Sequence, residues 1–229
     1  VAAGVPVVSS LAGRVAQPRL PEGEVRVGGF GGPAGLSAWL GEHGIAAVVD
    51  ATHPFAERIS RSAATACAQA GVPLLRLERP GWRAAAGDDW HWADDTAAAA
   101  AAIAGLGGRV FLTTGRQGLA AFAGVPAWFL VRCIDPPEPP LPPRHELLLD
   151  RGPYTLAGEL DLIDRHGLDV LVTKDSGGEL TAAKLAAARE RGLPVIVVRR
   201  PPRPDVRIAH DAVGARAWLA SAGLAPVAA

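Results

Sequence analysis

Asp50-Ala51-Thr52-His53-Pro54-Phe55-Ala56 follows an apolar run at residues 45–49 and opens a helical pattern at residues 54–70. Strand, short polar turn and helix form the repeating unit of a parallel α/β sheet, and such sheets bind ligands where their strands end. The sequence predicts that His53 caps the helix and that Pro54 takes its first position, where a missing N–H costs nothing and φ is already set. The free N–H groups and positive dipole end of that helix then face the same crevice as Thr52 and His53. Such an edge suits a phosphate or a carboxylate. An ordinary capped turn would use the same residues without any ligand.

Outward from this turn the same rhythm repeats. Strand-like runs are read at residues 5–9, 25–27, 45–49, 72–77, 110–113, 128–134, 170–173 and 195–199, with helices at 33–43, 54–70 and 180–191. Each of these helices is followed by a glycine, at Gly44, Gly71 and Gly192. In the second of them Ile59, Ala63, Ala66 and Ala70 make a narrow packing face, while Glu57 and Arg61 pair on the other side. The fold class expected is α/β, as two Rossmann-like domains with parallel sheets. A soft Ala- and Gly-rich stretch at 97–108 sets the expected division into a coenzyme-binding domain, 1–105, and a ligand-binding domain, 106–229. Residues 135–143 hold six prolines among nine, which predicts a stiff extended loop able to act as a lid.

Composition narrows the function. The 23 acidic and 23 basic residues cancel, which removes the field of a general nucleic-acid binder. Cys67 and Cys133 are too few for a disulfide framework or zinc knuckle, and no apolar run approaches about 20 residues, so a cytoplasmic protein with no membrane partner is expected. His43, His91, His145, His166 and His210 show no metal-ligand spacing. The excess of Arg over Lys accompanies inflated Ala, Gly and Pro and reads as GC-rich codon usage; selection for forked donors is the other reading. No G-x-S-x-G elbow or phosphate-binding P-loop sequence occurs.

The chemistry gathers at strand ends. Gly28-Gly29-Phe30-Gly31-Gly32 follows a strand and precedes the helix at Pro33, so a ligand can come close to its backbone, although it is not the G-x-G-x-x-G dinucleotide fingerprint. Ser10 to Arg14 ends the first visible strand, where Rossmann-like folds meet the adenine ribose; Arg14 is a candidate for a 2′-phosphate contact or an ordinary surface arginine. Downstream, Thr113 to Arg116, Arg132, Arg151 to Tyr154 and Thr173 to Gly178 each bring a cation or hydroxyl to a strand end. In one parallel sheet these ends share a rim, so Arg116, Arg151 and Lys174 are expected to converge on a polyanion. Trp82, Trp90 and Trp92 read as packing or surface anchors.

Taken together, Ser10 to Arg14, Gly28 to Gly32, Asp50 to Ala56, Arg79 to Trp82, Thr114 to Arg116, Arg151 to Tyr154, Thr173 to Gly178 and Arg199 to Pro201 resemble the precorrin-6A reductase family of cobalamin biosynthesis, in family order through nearly the whole chain. The resemblance implies an NADPH-dependent reductase in which hydride goes to one carbon of a polycarboxylate tetrapyrrole and a proton to its neighbour. It also implies hand-over of the product to the next pathway enzyme. The rival readings are a non-catalytic nucleotide- or tetrapyrrole-binding module and another NADP-dependent reductase. The Tyr-x-x-x-Lys pair of short-chain reductases is not met, because Gly158 stands four positions after Tyr154.

On this reading the coenzyme residues expected are Ser10, Arg14, Gly28, Gly29, Phe30, Gly31 and Thr52. The substrate residues expected are His53, Arg61, Arg116, Arg151, Tyr154, Lys174 and Ser176, and His53 is the candidate proton carrier or carboxylate ligand. Family members begin with a further strand, a Gly-Gly-Thr turn and a helix, about 20–25 residues in all. This sequence starts at Val1 at the second strand and has no Met, so weak NADPH binding by the chain as it stands is a further expectation.

Overall fold

A computed structural model describes residues 5–13 and 20–224. The chain forms two compact units. The first comprises the residues up to Pro80 together with those from Pro202 onward, and the second is Gly81–Pro201. The division expected at 105/106 therefore falls inside the second unit. The cause is the 97–108 stretch, which is no linker: repeated alanine is the strongest helix former, and Asp95 caps helix α3 (Thr96–Ala102) by accepting a 2.8 Å hydrogen bond from the Ala98 N–H. Strand β5 (Trp90–Ala93), just before it, pairs in parallel with β10 (Val195–Val198) and binds this segment to the second unit.

In the first unit, β1 (Val8–Leu11) pairs in parallel with β2 (Glu24–Val27), and β3 (Val48–Asp50), β4 (Leu74–Leu77) and β11 (Arg207–Ala209) form a second parallel sheet in the order β11-β4-β3. Helices α1 (Pro33–Glu42) and α2 (Glu57–Ala70) pack through Leu36, Leu40, Ala63, Ala66 and Cys67. Helix α6 (Ala212–Ser221) closes Leu75 under Trp218 and Ala215.

The second unit is one six-stranded parallel sheet in the order β5-β10-β9-β6-β7-β8, where β6 is Arg109–Leu112, β7 Trp128–Cys133, β8 His145–Leu149 and β9 Val170–Lys174. Its central strands are almost wholly buried, as expected of a parallel sheet covered on both faces. Helices α4 (Leu156–His166) and α5 (Ala183–Arg191) pack together, and Ile163, Leu185, Ala187 and Ala188 cover Phe111, Leu130, Leu171, Val195 and Val197. Full burial of each large apolar side chain stabilises by about 1.5–3 kcal/mol. Helix α3 meets a 3-10 turn, Leu119–Phe122, which leads from β6 into β7.

The expected elements stand with shifted ends. The α5 helix is shorter than read, preceded by a separate 3-10 turn at Glu179–Thr181, and β5, β8, β11, α3, α4 and α6 are additional. The 135–143 segment holds neither helix nor strand. Helix α2 starts at Glu57, so His53 is not its cap and Pro54 is not its first residue. The chain turns before it enters the helix: the Ala56 N–H donates to the His53 carbonyl at 2.7 Å and the Phe55 N–H donates to His53 Nδ1 at 3.2 Å. Gly71 and Gly192 cap α2 and α5 in the left-handed region. Among the described residues no helix is long and apolar enough to cross a membrane.

Candidate functional site

The C-terminal ends of the second unit's strands form one rim because every pairing in that sheet is parallel. β6 and β9 are neighbours, yet the chain leaves β6 through the 119–122 turn toward β7 and leaves β9 through α5 toward β10. Strand order reverses at this seam, the position where doubly wound sheets bind ligands. Thr113 closes the seam by donating its N–H to the Val172 carbonyl at 2.9 Å.

Lys174 meets the loop that carries Arg116 here. Lys174 Nζ donates to the Gln117 carbonyl at 3.3 Å, which carries the end of β9 onto the loop after β6. Partial burial lowers the Lys174 ammonium below the usual lysine range, and the Cys133 sulfur pulls it partly back. Burial likewise pushes the Cys133 thiol up, against the pull of Arg116 and Lys174. The two cations and the end of β7 thus share one electrostatic neighbourhood. Thr114 Oγ1 is buried beside them and makes no hydrogen bond to the described residues. Ser176 is half-buried in the loop after β9.

Arg151 and Tyr154 follow β8, the edge strand, and β7 stands between them and the Lys174–Arg116 seam. Tyr154 Oη donates to the Asp150 carbonyl at 3.2 Å, and its ring lies 3.7 Å beneath the Arg132 guanidinium. Burial raises the Tyr154 phenol, with Arg132 lowering it. Arg132 is not a rim residue: it is buried and pairs with Glu159 at 2.7 Å. Trp82 is an anchor as read, its backbone N–H donating to Asp175 Oδ1 at 2.9 Å. Arg200 Nε pairs with the other carboxylate oxygen of Asp175 at 3.2 Å.

The first unit carries its own polar edge. Asp50, at the end of β3, accepts from the Thr52 N–H at 3.0 Å and from the Thr52 hydroxyl at 2.6 Å, so the proton of that hydroxyl is directed into the turn. Arg76 on β4 donates to Asp50 at 2.9 Å, to Ser60 Oγ at 2.6 Å and to Glu78 at 2.6 Å, and Arg203 pairs with Glu78 from the far end of the chain. All but Arg203 are buried. Sequence reading missed this network, although Arg76 inside an apolar strand was its signal. It also explains the phase of α2, whose buried stripe includes Ser60, drawn in by Arg76, while Ile59 lies partly exposed. Burial and the Asp50 charge push the Cys67 thiol up to about 11.

In the same unit the Gly28 N–H returns to the Leu11 carbonyl at 2.8 Å, and Arg26 donates to the Gly28 and Gly29 carbonyls at 2.7 Å each, with its guanidinium 3.7 Å over the Phe30 ring. Gly28 and Gly31 have φ of 124° and 76°, and a Cβ added at Gly28, Gly29, Gly31 or Gly32 would meet no atom of the described residues within 4 Å. Helix α1 then begins at Pro33 without a side-chain cap. Ser10 is exposed on β1; His53 and Arg61 are also exposed, with Arg61 paired to Glu57 on α2 as expected. Arg14 lies outside the described residues.

Two units of parallel strands and flanking helices, one with an open glycine-rich helix entry and the other with a cationic strand-end rim, define a Rossmann-like α/β protein. The chain belongs to the precorrin-6x reductase CbiJ/CobK family, whose model matches residues 1–220. It is 54% identical over 218 residues to the precorrin-6A reductase of Rhodococcus erythropolis, covering 94% of this chain and 88% of that protein. The cobalt-precorrin-6A reductase of Priestia megaterium is 32% identical over 179 residues, covering 72% of this chain and 69% of that protein. The solved structure of a CobK precorrin-6A reductase superposes with a TM-score of 0.93 at 44% identity, covering 98% of this chain and 90% of the other.

Proposed function

We propose that this chain reduces precorrin-6A with NADPH in the biosynthesis of the cobalamin corrin ring. The observation that carries the reading is its relationship, through nearly its whole length, to precorrin-6A reductases. The metal-free tetrapyrrole is the substrate proposed, because the relative named for it is 54% identical and the relative named for the cobalt form 32%.

The first unit fits a coenzyme on its own geometry. Space above four glycines that no described residue fills, with an uncapped helix start, provides room and N–H donors for a phosphate group. Ser10, Gly28, Gly29, Phe30, Gly31 and Thr52 are the residues proposed to hold NADPH, with Arg14 on the 2′-phosphate. When bound, NADPH supplies the hydride. The protein's share is orientation and the exclusion of water.

Arg116, Lys174 and Ser176 at the β6/β9 seam, and Arg151 and Tyr154 beyond β7, hold the acetate and propionate arms of the ring through charge-assisted hydrogen bonds that fix its register. His53 and Arg61, in the first unit, are further residues proposed to bind carboxylates of the substrate. His53 is also the group proposed to pass the proton that balances the hydride, since an imidazole ring can both accept and donate one. The test is NADPH oxidation, followed by absorbance, on addition of precorrin-6A. Absence of substrate-dependent oxidation with correctly folded protein would refute the proposal, and ligand binding without turnover would favour a binding module instead.

A further inference from the structure

Behind the rim of the second unit three charged side chains are shut away from solvent: Arg132 on β7, Glu159 on α4 and Lys184 on α5, exposed by 5%, 1% and 4%. Arg132 Nη1 donates to Glu159 Oε1 at 2.7 Å, while Glu159 Oε2 is buried without a hydrogen bond from the described residues. Lys184 Nζ donates to the Thr181 carbonyl at 2.7 Å and lies 4.8 Å from the centre of the Trp82 ring. Burial of such charges is costly, and apolar side chains of similar volume commonly stabilise a core as well or better. Stability alone is a poor reason for this cluster.

Its contacts lead to the loops that carry the rim. The Arg132 guanidinium carbon stands 3.7 Å from the centre of the Tyr154 ring. The Tyr154 N–H donates to the Leu180 carbonyl at 3.3 Å, and the Trp82 indole N–H donates to the Gly178 carbonyl at 3.3 Å. One buried assembly therefore grips both the loop 150–155, after β8, and the loop 175–182, after β9. Arg132 reaches the first of these with its guanidinium over the Tyr154 ring, a planar group that a lysine does not possess.

We propose that Arg132 and Glu159 are positioning residues, whose buried pair sets the loop 150–155 through the ring of Tyr154 so that Arg151 and Tyr154 receive a carboxylate arm of the tetrapyrrole. This rests on the function proposed above and adds to it the device that fixes one side of the substrate rim.

The test compares Arg132→Lys, which keeps the charge and loses the planar face, with Glu159→Gln, which keeps an acceptor and loses the charge, both in the full chain. In each, the KM for precorrin-6A is expected to rise about tenfold, the loss of one charge-assisted contact, while the KM for NADPH stays within about twofold. Amide hydrogen exchange is expected to quicken in residues 150–155 and to stay unchanged in β6 and β9. An unchanged KM for precorrin-6A in folded variants would overturn the proposal, and so would unfolding of both, which would make the pair a support of the core only. If the parent chain shows no precorrin-6A-dependent NADPH oxidation, the functional reading fails, whereas exchange in residues 150–155 still decides whether the pair sets the loop.

Discussion

The Lys174 ammonium donates to the Gln117 carbonyl at 3.3 Å, across the seam where the order of the six-stranded sheet reverses. That bond holds a lysine at the end of one central strand against the loop that carries Arg116 from its neighbour, where the function proposed above puts a carboxylate arm of the tetrapyrrole. Lys174→Met should raise the KM for precorrin-6A by about tenfold to a hundredfold, the range of a charge-assisted hydrogen bond, with the KM for NADPH unchanged. Steady-state kinetics with each substrate varied in turn measures this, and equal effects on both constants would remove Lys174 from the substrate rim.

Lys184 gives a pH dependence of defined sign. Burial, and secondarily the Arg132 charge, lower its ammonium to about 7, against a partial pull from Glu159; the Trp82 ring and the Thr181 carbonyl complete its surroundings. Below that pH the lysine is charged in both folded and unfolded chains, and the folded state bears the full cost of burying it. As pH rises through 7 the folded state sheds the proton while the unfolded chain keeps it, so stability rises. From pH 6 to pH 8 the gain is about 1.4 kcal/mol, one pK unit of differential binding. Urea unfolding should show this gain in the parent and lose that share in Lys184→Met. The window must stop there, because the raised thiols of Cys67 and Cys133 act in the opposite direction once unfolded thiols ionise.

Gly81 is required for lack of space. A Cβ there would stand 2.5 Å from Asp175 Oδ2, and that carboxylate cannot swing aside without breaking its bonds to the Trp82 N–H and Arg200. Gly81→Ala should destabilise the chain by about 1–3 kcal/mol, the usual cost of overpacking. In an Asp175→Ala background the same change should cost far less. A double-mutant cycle by urea unfolding measures the coupling, and additive costs would show that the two residues do not oppose each other.

Arg76 serves two buried carboxylates at once, Asp50 and Glu78. Arg76→Met leaves both without it and should destabilise by about 3–5 kcal/mol, as breaking a buried pair does. Addition of Asp50→Asn should restore part of the loss by removing the charge left without a cation, since Glu78 keeps Arg203. Thermal and urea unfolding of the single and double variants test this, and a loss below about 1 kcal/mol for Arg76→Met would show that solvent reaches the pair.

The strands of the second unit's centre were legible because burial on both faces leaves them as continuous apolar runs, as in Val195 to Val198. β5 escaped notice because Trp-His-Trp-Ala is an edge strand with exposed polar and aromatic positions, and α3 because a run of alanine has no apolar period to read. α4 left its signs in Thr155, which accepts from the Gly158 N–H, and in Gly167. That Arg116 and Lys174 lie on one rim is legible from strand ends alone, since parallel pairing forces such ends to the same side of a sheet. The pairing of Arg132 with Glu159, 27 residues apart, and of Arg76 with Asp50, 26 apart, depends on which strand and helix become neighbours, and no local pattern encodes that.

Arg14 bears the coenzyme's identity in the proposed function. It stands four positions after Ser10 in the sequence, and a guanidinium that meets the adenine ribose distinguishes the 2′-phosphate of NADPH from the bare hydroxyl of NADH. The contact proposed for it is charge-assisted and open only to the phosphorylated coenzyme. Arg14→Ala should therefore raise the KM for NADPH about tenfold or more and leave that for NADH nearly unchanged, with the KM for precorrin-6A unaffected. The comparison needs both coenzymes at saturating tetrapyrrole. Equal losses with NADPH and NADH would make Arg14 a general support of the loop, and the discriminating contact would then have to be sought elsewhere in the first unit.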